Sequence, residues 1–453
     1  MDHNLITQRT WDETEIVCGF YNRISFYQPY VEEAMDLGAR RHGAEINQGW
    51  EIVKLGADAD HVTVVAREHA GVGEPALLDP AERTITAAYV IGADGARSMV
   101  REALDTEWRY FDYRDAWLSV DVLRKKPLQR FDPTISTQII SPEQVVALVP
   151  IGKERIRFEF LLGGEPEDHV DLSEEAGYAF LDEAWGLGRD DVEIYRQVVY
   201  PFEGRMVRDW SKGRVFLAGD AAHLMPPFVG MGAVSAFRDA ANLSWKLDLV
   251  LRGVSSPELL QSYQVEREPH TQTFIELGVA IGQMCTISDP AAAAARDAAM
   301  RNGGTEHPPD PEYDAGILLM RDDQVQRPAG LREPQGVVRR GEVRGRFDDV
   351  VGPWGFSLVI RDVDPRRHLS GEQLSALEAI GCKLVTISAD PGSTEWVEQD
   401  DLYERFFAEH GIVGYLSRPD FRVFAGIERP EQISSAVDAL LGQLSLKELT
   451  SAA

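Results

Sequence analysis

Residues 213–247 read GRVFLAGDAAHLMPPFVGMGAVSAFRDAANLSWKL, and the fold can be worked out from this stretch outward. Val215, Phe216, Leu217 and Ala218 form a short apolar run that ends in Gly219-Asp220, as a buried strand of an open α/β sheet does. A carboxylate placed there stands at the carboxyl edge of the sheet, where such sheets bind their ligands. Pro226-Pro227 stiffens the following loop, and Gly230-Met231-Gly232-Ala233 opens a long helix. Glycines at a helix start let a ligand approach the free N–H groups of its first turn, which favour anionic or electron-rich atoms. The helix continues through Asp239-Ala240, Asn242-Leu243 and Trp245-Lys246-Leu247.

Upstream, Tyr27-Gln28-Pro29-Tyr30 leads into a helix predicted over 31–41 and closed by Gly43. Strands are expected at 44–55, 61–67 and 84–91. A turn then reads Gly92-Ala93-Asp94-Gly95-Ala96-Arg97-Ser98, ahead of a helix to about Leu104. From 106 to 204 the chain is β-rich (WLSVDVLR, STQIIS, QVVALVPI, RIRFEFLL, EIYRQVVY), interrupted by a helix at 173–185. Residues 286–335 read as a helix and a connecting loop. The rest alternates β-α-β-α-β-β-α, which predicts a small thioredoxin-like unit. It has no Cys-x-x-Cys pair, so a structural or dimerising role is expected of it, and a homodimer is the assembly in view.

The 453 residues are 44% hydrophobic and 26% charged, an ordinary globular composition that divides into several domains. A formal net charge of −28 argues against nucleic acid and anionic membrane surfaces as partners. Cys18, Cys285 and Cys382 follow no metal or redox spacing, so no metal site is expected. With no apolar run of membrane length and no signal-like start, a cytoplasmic location is expected.

The 213–247 segment resembles the second flavin fingerprint of the single-component aromatic hydroxylases, flavoprotein monooxygenases built like p-hydroxybenzoate hydroxylase. The Asp94-Gly95-Ala96-Arg97-Ser98 turn resembles the same family's second motif, which touches FAD pyrophosphate and the nicotinamide cofactor. The resemblance implies an α/β (α+β) fold with an FAD-binding Rossmann-like domain, an inserted β-sheet substrate domain and a thioredoxin-like C-terminal domain. The domains would be 1–105 and 205–285 for the FAD-binding parts, 106–204 for the substrate sheet, 286–335 for a helix and linker, and 336–453 for the C-terminal unit. It also implies that Gly219, Asp220, Gly230, Met231, Gly232 and Ala233, with Asp94, Gly95 and Arg97, hold FAD, and that Asp220 meets the ribityl chain. Pro226 and Pro227 would lie beside the flavin C4a, where a hydroperoxide forms. Val146, Phe158 and Phe160 are the candidate substrate contacts on strands that could cover the flavin face, although ordinary core packing is the better reading of each. Arg101 is a second cation near the phosphates, and Arg155 and Arg157 could pair with a substrate carboxylate. His223 reads as a packing residue.

The G-x-G-x-x-G fingerprint that should open such a chain is not found. Gly71-Val72-Gly73-Glu74-Pro75-Ala76 fits the letters, but it precedes a strand and carries a Glu-Pro step no helix accommodates. The resemblance starts near Phe26, so about one βαβ half is expected to be absent before it, leaving the adenosine side unwritten. SDPAAAAARDAAM (288–300) and the C-terminal unit resemble the 3-(3-hydroxyphenyl)propionate/3-hydroxycinnamate hydroxylases. That implies ortho hydroxylation of a phenolic acid with FAD, NADH or NADPH, and O2. Two alternatives stay open: a hydroxylase of another phenol or a polyketide, and a flavin-free remnant that only binds or dimerises.

Overall fold

The computed structural model describes residues 6, 16–21, 24–71, 77–128, 132, 135–165, 171–302, 312–352 and 354–446. Most of the Gly71–Ala76 match lies outside them. The chain forms two compact units: residues 1–10, 23–233 and 274–308, and residues 11–22, 234–273 and 309–453.

A small hairpin of the second unit, β1 (Ile16–Val17) and β2 (Phe20–Tyr21), comes first. The first unit opens with α1 (Gln28–Arg41), started by Pro29 in its first turn, where a missing N–H is harmless. Then β3 (Trp50–Ala57), β4 (Val62–Glu68) and β5 (Glu82–Ala87) pair as an antiparallel sheet. The strand predicted over 84–91 is in fact two. After β5 the chain leaves that sheet, and β6 (Val90–Gly92) joins another. An alternating run shows a strand's faces, not which neighbours it pairs with, so the handover was hidden.

After α2 (Met99–Leu104), the 17-residue β7 (Trp108–Arg124) is the spine of the substrate sheet. It is followed by β8 (Thr137–Ile140), β9 (Val145–Pro150), β10 (Arg155–Leu161), α3 (Glu174–Trp185) and β11 (Val192–Val207). Helix α3 begins on Ser173, whose hydroxyl accepts from Ala176 N, and ends on left-handed Gly186. Next come β12 (Ser211–Lys212), β13 (Val215–Leu217) and β14 (His223–Leu224). The six-stranded sheet has the order β14-β11-β7-β10-β9-β8, and a smaller one the order β12-β13-β6.

Two helices cross the boundary between the units. In α4 (Gly232–Leu251) the second unit begins at Val234, and in α5 (Ser262–Cys285) the first resumes at Phe274. Helix α6 (Pro290–Arg301) belongs to the first unit, where Arg296 donates to Ile140 O at 2.6 Å.

In the second unit the hairpins β15 (Met320–Arg321) with β16 (Gln324–Val325), and β17 (Val337–Arg340) with β18 (Val343–Arg346), precede α7 (Phe347–Val351). The predicted alternation follows as β19 (Ser357–Arg361), α8 (Gly371–Ala379), β20 (Lys383–Ser388), α9 (Leu402–His410), β22 (Gly414–Ser417), β23 (Val423–Ile427) and α10 (Ile433–Gln443). The strands β15 to β18 were not read in the sequence, nor was the three-residue β21 (Trp396–Glu398), which is held by β20 and β17. The seven strands run β18-β17-β21-β20-β19-β22-β23.

This unit also holds a buried charge cluster. The Glu266 carboxylate accepts from Arg418 Nη1 and Nη2 (2.8 and 2.7 Å), Lys246 Nζ (2.8 Å), Asn242 Nδ2 (2.6 Å) and Ile317 N (2.7 Å). Asp420 accepts from Arg418 Nε at 2.9 Å and from Asn242 Nδ2 at 2.9 Å. Two carboxylates thus face two cations with nearly every lone pair used, the condition under which buried charge is tolerated. Nearby, buried Asp239 accepts from Arg267 Nε at 2.8 Å. The polar letters of the helix motif, Asp239, Asn242 and Lys246, are therefore spent inside this unit.

Candidate functional site

The two chemically suggestive turns meet. Strands β6 and β13 pair in parallel, with Val90 opposite Val215 and Gly92 opposite Leu217, and Ala218 N donates to Gly92 O at 3.0 Å. Parallel pairing sends both strands out at the same edge, so the 93–98 turn and the Gly219–Ala221 turn leave side by side. Gly219 sits at φ +58°, a left-handed conformation that favours glycine.

Arg101 ties the turns together. It is buried, with Nη2 donating to Ala96 O (3.1 Å), Nη1 to Ala221 O (3.4 Å), and its guanidinium lying over the Trp108 ring. Read in the sequence as a cation for phosphates, it is a clamp for backbone carbonyls; Arg97 is the exposed cation of the pair. Asp94 is likewise committed: Ser98 Oγ donates to Oδ1 and Val100 N to Oδ2 (3.1 Å), while Ser98 Oγ accepts from Arg101 N and caps α2. Gly95 follows at φ +78°. Asp220, by contrast, is exposed, and its carboxylate makes no hydrogen bond among the described residues.

After β14, Pro226 is buried and Pro227 exposed, and a single tight turn, Pro227–Val229, ends on Gly230 at φ +65°. A Cβ on Gly230 or Gly232 would meet nothing within 4 Å, so bare backbone faces open space at the start of α4. Met231 is half-buried and Ala233 exposed beside them. Phe228 fastens this loop. Its ring meets Tyr113, Trp117 and Phe202 edge-on at 5.7, 5.6 and 5.9 Å, and Trp117 and Phe202 stack at 4.7 Å. From the other side the end of α5 presents Gly278 and Gly282, one turn apart. A Cβ on Gly278 would stand 3.0 Å from Pro226 O, and one on Gly282 would stand 2.7 Å from the Phe228 ring and 2.8 Å from the Tyr113 ring.

The loop is thus gripped where a side chain has no room. Gly282→Val is expected to lower the stability of the first unit by about 1–3 kcal/mol through overpacking and to weaken FAD uptake. Thermal unfolding and flavin titration of the variant measure the two effects.

Successive residues of a strand point to opposite faces, and the substrate sheet uses its two faces differently. Val146, Phe158 and Phe160 are buried in the core under α3, with Phe158 near Trp185 and Phe160 near Phe180. Their burial fits core packing, the reading the sequence favoured, and not the substrate contacts also considered. β9 (VVALVP) is apolar on both faces, whereas in β10 alternation sets Phe158 and Phe160 opposite Arg155, Arg157 and Glu159. The opposite face carries Trp117, Phe202 and Tyr200, then Glu159, Asp121 and Arg157. Arg157 is already committed, donating through Nε and Nη2 to Asp121 Oδ1 and Oδ2 at 2.7 and 3.0 Å. Arg155 has no ion pair among the described residues and lies over the Tyr27 ring at 4.3 Å. His223 is buried, its ring 5.2 Å from that of Trp210, in keeping with a packing role.

Sequence reasoning passed over Phe228, Trp117, Phe202, Tyr200 and Glu159. A signal was present: Phe228 follows the proline pair directly, and alternation puts Trp117, Asp121, Arg157 and Glu159 on the face away from Phe158. No cluster of histidine, cysteine or carboxylates that could hold a metal occurs among the described residues, and no described helix is long and apolar enough to cross a membrane.

Comparison with known proteins agrees with this geometry. The FAD binding domain family matches residues 2–277, and the HcaD C-terminal domain family residues 330–443. A probable NADH-specific resorcinol 4-hydroxylase from Rhodococcus jostii (strain RHA1) is 31% identical over 90% of this chain and 74% of its own length. A 3-(3-hydroxy-phenyl)propionate/3-hydroxycinnamic acid hydroxylase from Mycobacterium sp. (strain KMS) is 29% identical over 95% of this chain and 76% of its own. Among solved structures, the flavin-dependent monooxygenase PieE, in complex with FAD and substrate, aligns with a TM-score of 0.70 at 22% identity, over 91% of this chain and 79% of that one. Aklavinone-11 hydroxylase with FAD and aklavinone aligns at 0.68 and 24%, over 92% and 78%.

Proposed function

We propose that this chain, which belongs to the FAD binding domain family of aromatic hydroxylases, hydroxylates a small phenol beside the Pro226–Phe228 loop and the open Gly230–Ala233 backbone. The overall change is Ar–H + NAD(P)H + H+ + O2 → Ar–OH + NAD(P)+ + H2O. FAD, when bound, carries electrons from the nicotinamide and activates O2; the protein contributes position and electrostatics.

The residues fit that group. Asp220 offers a carboxylate free to accept from ribityl hydroxyls. The backbone of Gly230, Met231, Gly232 and Ala233 faces open space at a helix start, whose partial positive charge stabilises negative charge on the ring. Gly219 and the Asp94-Gly95 turn shape the floor, and exposed Arg97 is the cation for a phosphate. Pro226, Pro227 and Phe228 form a stiff wall with few mobile groups, which keeps water from the reacting atoms. The observation that carries the reading is the junction itself: the two turns emerge together from a parallel strand pair, beside open glycine backbone.

The substrate class follows from charge. A relative named for resorcinol takes an uncharged phenol, and relatives named for hydroxyphenylpropionate take an acid. The unpaired Arg155 supports the acid. Arg155→Met is expected to raise KM for 3-(3-hydroxyphenyl)propionate about ten-fold, the loss of one charge-assisted hydrogen bond, and to leave KM for resorcinol unchanged. Steady-state NADH oxidation with each substrate measures this.

The C-terminal unit is in our reading thioredoxin-like in shape without redox chemistry. Burial pushes the Cys382 thiol up to about 12, so it holds almost no thiolate at neutral pH. The overall proposal is tested by adding FAD to the purified protein and following flavin fluorescence, NADH oxidation and incorporation of labelled O2 into a phenolic acid. Uptake of FAD with one labelled oxygen in the product is expected; protein that takes up no FAD overturns the proposal.

A further inference from the structure

The second unit buries an acid whose neighbours do not neutralise it. Glu333, in the segment that leads into β17, is 4% exposed. Gln335 Nε2 donates to its Oε1 at 3.1 Å, while Oε2 is buried with no hydrogen-bond partner among the described residues. Two phenols of the same core share that condition, Tyr403 Oη of α9 and Tyr415 Oη of β22, both on fully buried side chains. The cation that acts on Glu333, Lys383 of β20, donates through Nζ to Gly352 O at 2.8 Å. A carboxylate held this way loses its hydration and gains no ion pair in return, so the folded unit favours the neutral acid.

The same short segment anchors the hairpin of β1 and β2. Gln335 N donates to Cys18 O at 3.2 Å, and Gly19 lies so close that a Cβ on it would stand 1.9 Å from Gln335 O. The Arg346 guanidinium covers the Phe20 ring at 4.5 Å. Gln335 Oε1 accepts from Asp348 N of α7 at 3.2 Å. One buried glutamine therefore joins the acid, the start of α7 and the hairpin. The hairpin's strands are two residues each, too short to stand alone, so it stays where this anchor holds it. We propose that residues 333–335 are a proton-operated latch, which holds the hairpin while Glu333 is neutral and releases it when Glu333 ionises.

The groups facing Glu333 fix the direction of the switch. Burial pushes its carboxyl up to about 8; the Ser417 hydroxyl and Lys383 oppose the rise, and Asp348 of α7 and Asp420 add to it. Burial also raises Tyr403 and Tyr415 well above an ordinary phenol, and Glu333 adds to both, so neither ionises in this range. A carboxyl raised in the closed form holds its proton more tightly there than when open. Its contribution to closure is complete below its ordinary 4.5 and is lost as the pH rises through about 8. Opening should grow about ten-fold per pH unit across that window and level off above it.

The test follows amide hydrogen exchange of the hairpin and of Gln335 in the full chain from mildly acidic to mildly alkaline pH, corrected for the intrinsic pH dependence of exchange. Gly19→Ala, which has no room against Gln335 O, should open the hairpin at every pH and shows the size of the signal. In wild type, protection should fall about ten-fold per pH unit until it levels near pH 8. Glu333→Gln and Glu333→Leu cannot ionise, so in each the hairpin should stay protected with no pH dependence; either variant that folds suffices. Wild-type protection that is flat across the range, or variants that follow the wild-type slope, overturn the latch. Neither result touches the hydroxylase reading, which stands or falls on flavin uptake and product.

Discussion

Glu266→Leu is expected to remove about 3–5 kcal/mol of stability from the second unit, the scale found when one partner of a buried ion pair is deleted. Arg418, Lys246, Asn242 and Ile317 N all converge on that carboxylate, and its side chain is fully buried. Leucine fills the volume but leaves Lys246 with no carboxylate and Arg418 with Asp420 alone, both still buried. Glu266→Gln keeps the shape and one acceptor, so it should cost less. Denaturant midpoints, analysed for the transition of the second unit, separate the two.

The same cluster has a pH signature. Burial drives the Glu266 carboxyl upward, but Arg418 and Lys246 overcome that and hold it well below its ordinary 4.5. A carboxyl depressed in the folded state contributes its stability in full above that ordinary value and loses it as the pH falls below. Wild-type stability should therefore drop below about pH 4.5, and in Glu266→Leu this part of the drop should be missing.

Asp220→Ala is expected to weaken FAD binding by about ten- to a hundred-fold, the loss of one hydrogen bond to a charged acceptor at about 1.5–3 kcal/mol, with little change in folding. The reason is exposure. Asp94, the other aspartate of the site, is spent on Ser98 and Val100 and holds α2 in place, whereas the Asp220 carboxylate makes no hydrogen bond among the described residues. Asp94→Ala should accordingly lower stability by about 1 kcal/mol as a lost helix-start contact before it affects the flavin. Flavin fluorescence titration and thermal unfolding of both variants distinguish the roles. An Asp220→Ala protein that binds FAD as the wild type does would remove Asp220 from the site.

Much of this was legible because it is local. A strand that ends in Gly-Asp, a proline pair and a glycine-led helix are set by φ preferences and short-range periodicity. The longer helices and strands could be read from them, including α9 over Leu402–His410 residue for residue, while short strands such as β15 to β18 could not. The failures lie where a residue's meaning depends on what packs against it. Arg101 looks like a phosphate ligand until Ala96 O and Ala221 O are seen to occupy it. The strand expected over 84–91 serves two sheets because β5 pairs with the preceding β4 while β6 pairs with the distant β13.

By itself the sequence determined the family chemistry: a carboxylate and bare glycine backbone placed at a strand end, where we propose that the flavin ring is held. Only the tertiary structure decided which side of the substrate sheet a helix seals. Alternation assigns Phe158 and Glu159 to opposite faces, but the helix that seals one of them is fixed by how α3, which follows β10, packs back on the sheet. With α3 over Phe158 and Phe160, the opposite face is that of Trp117, Phe202, Tyr200 and Glu159, where Phe228 packs.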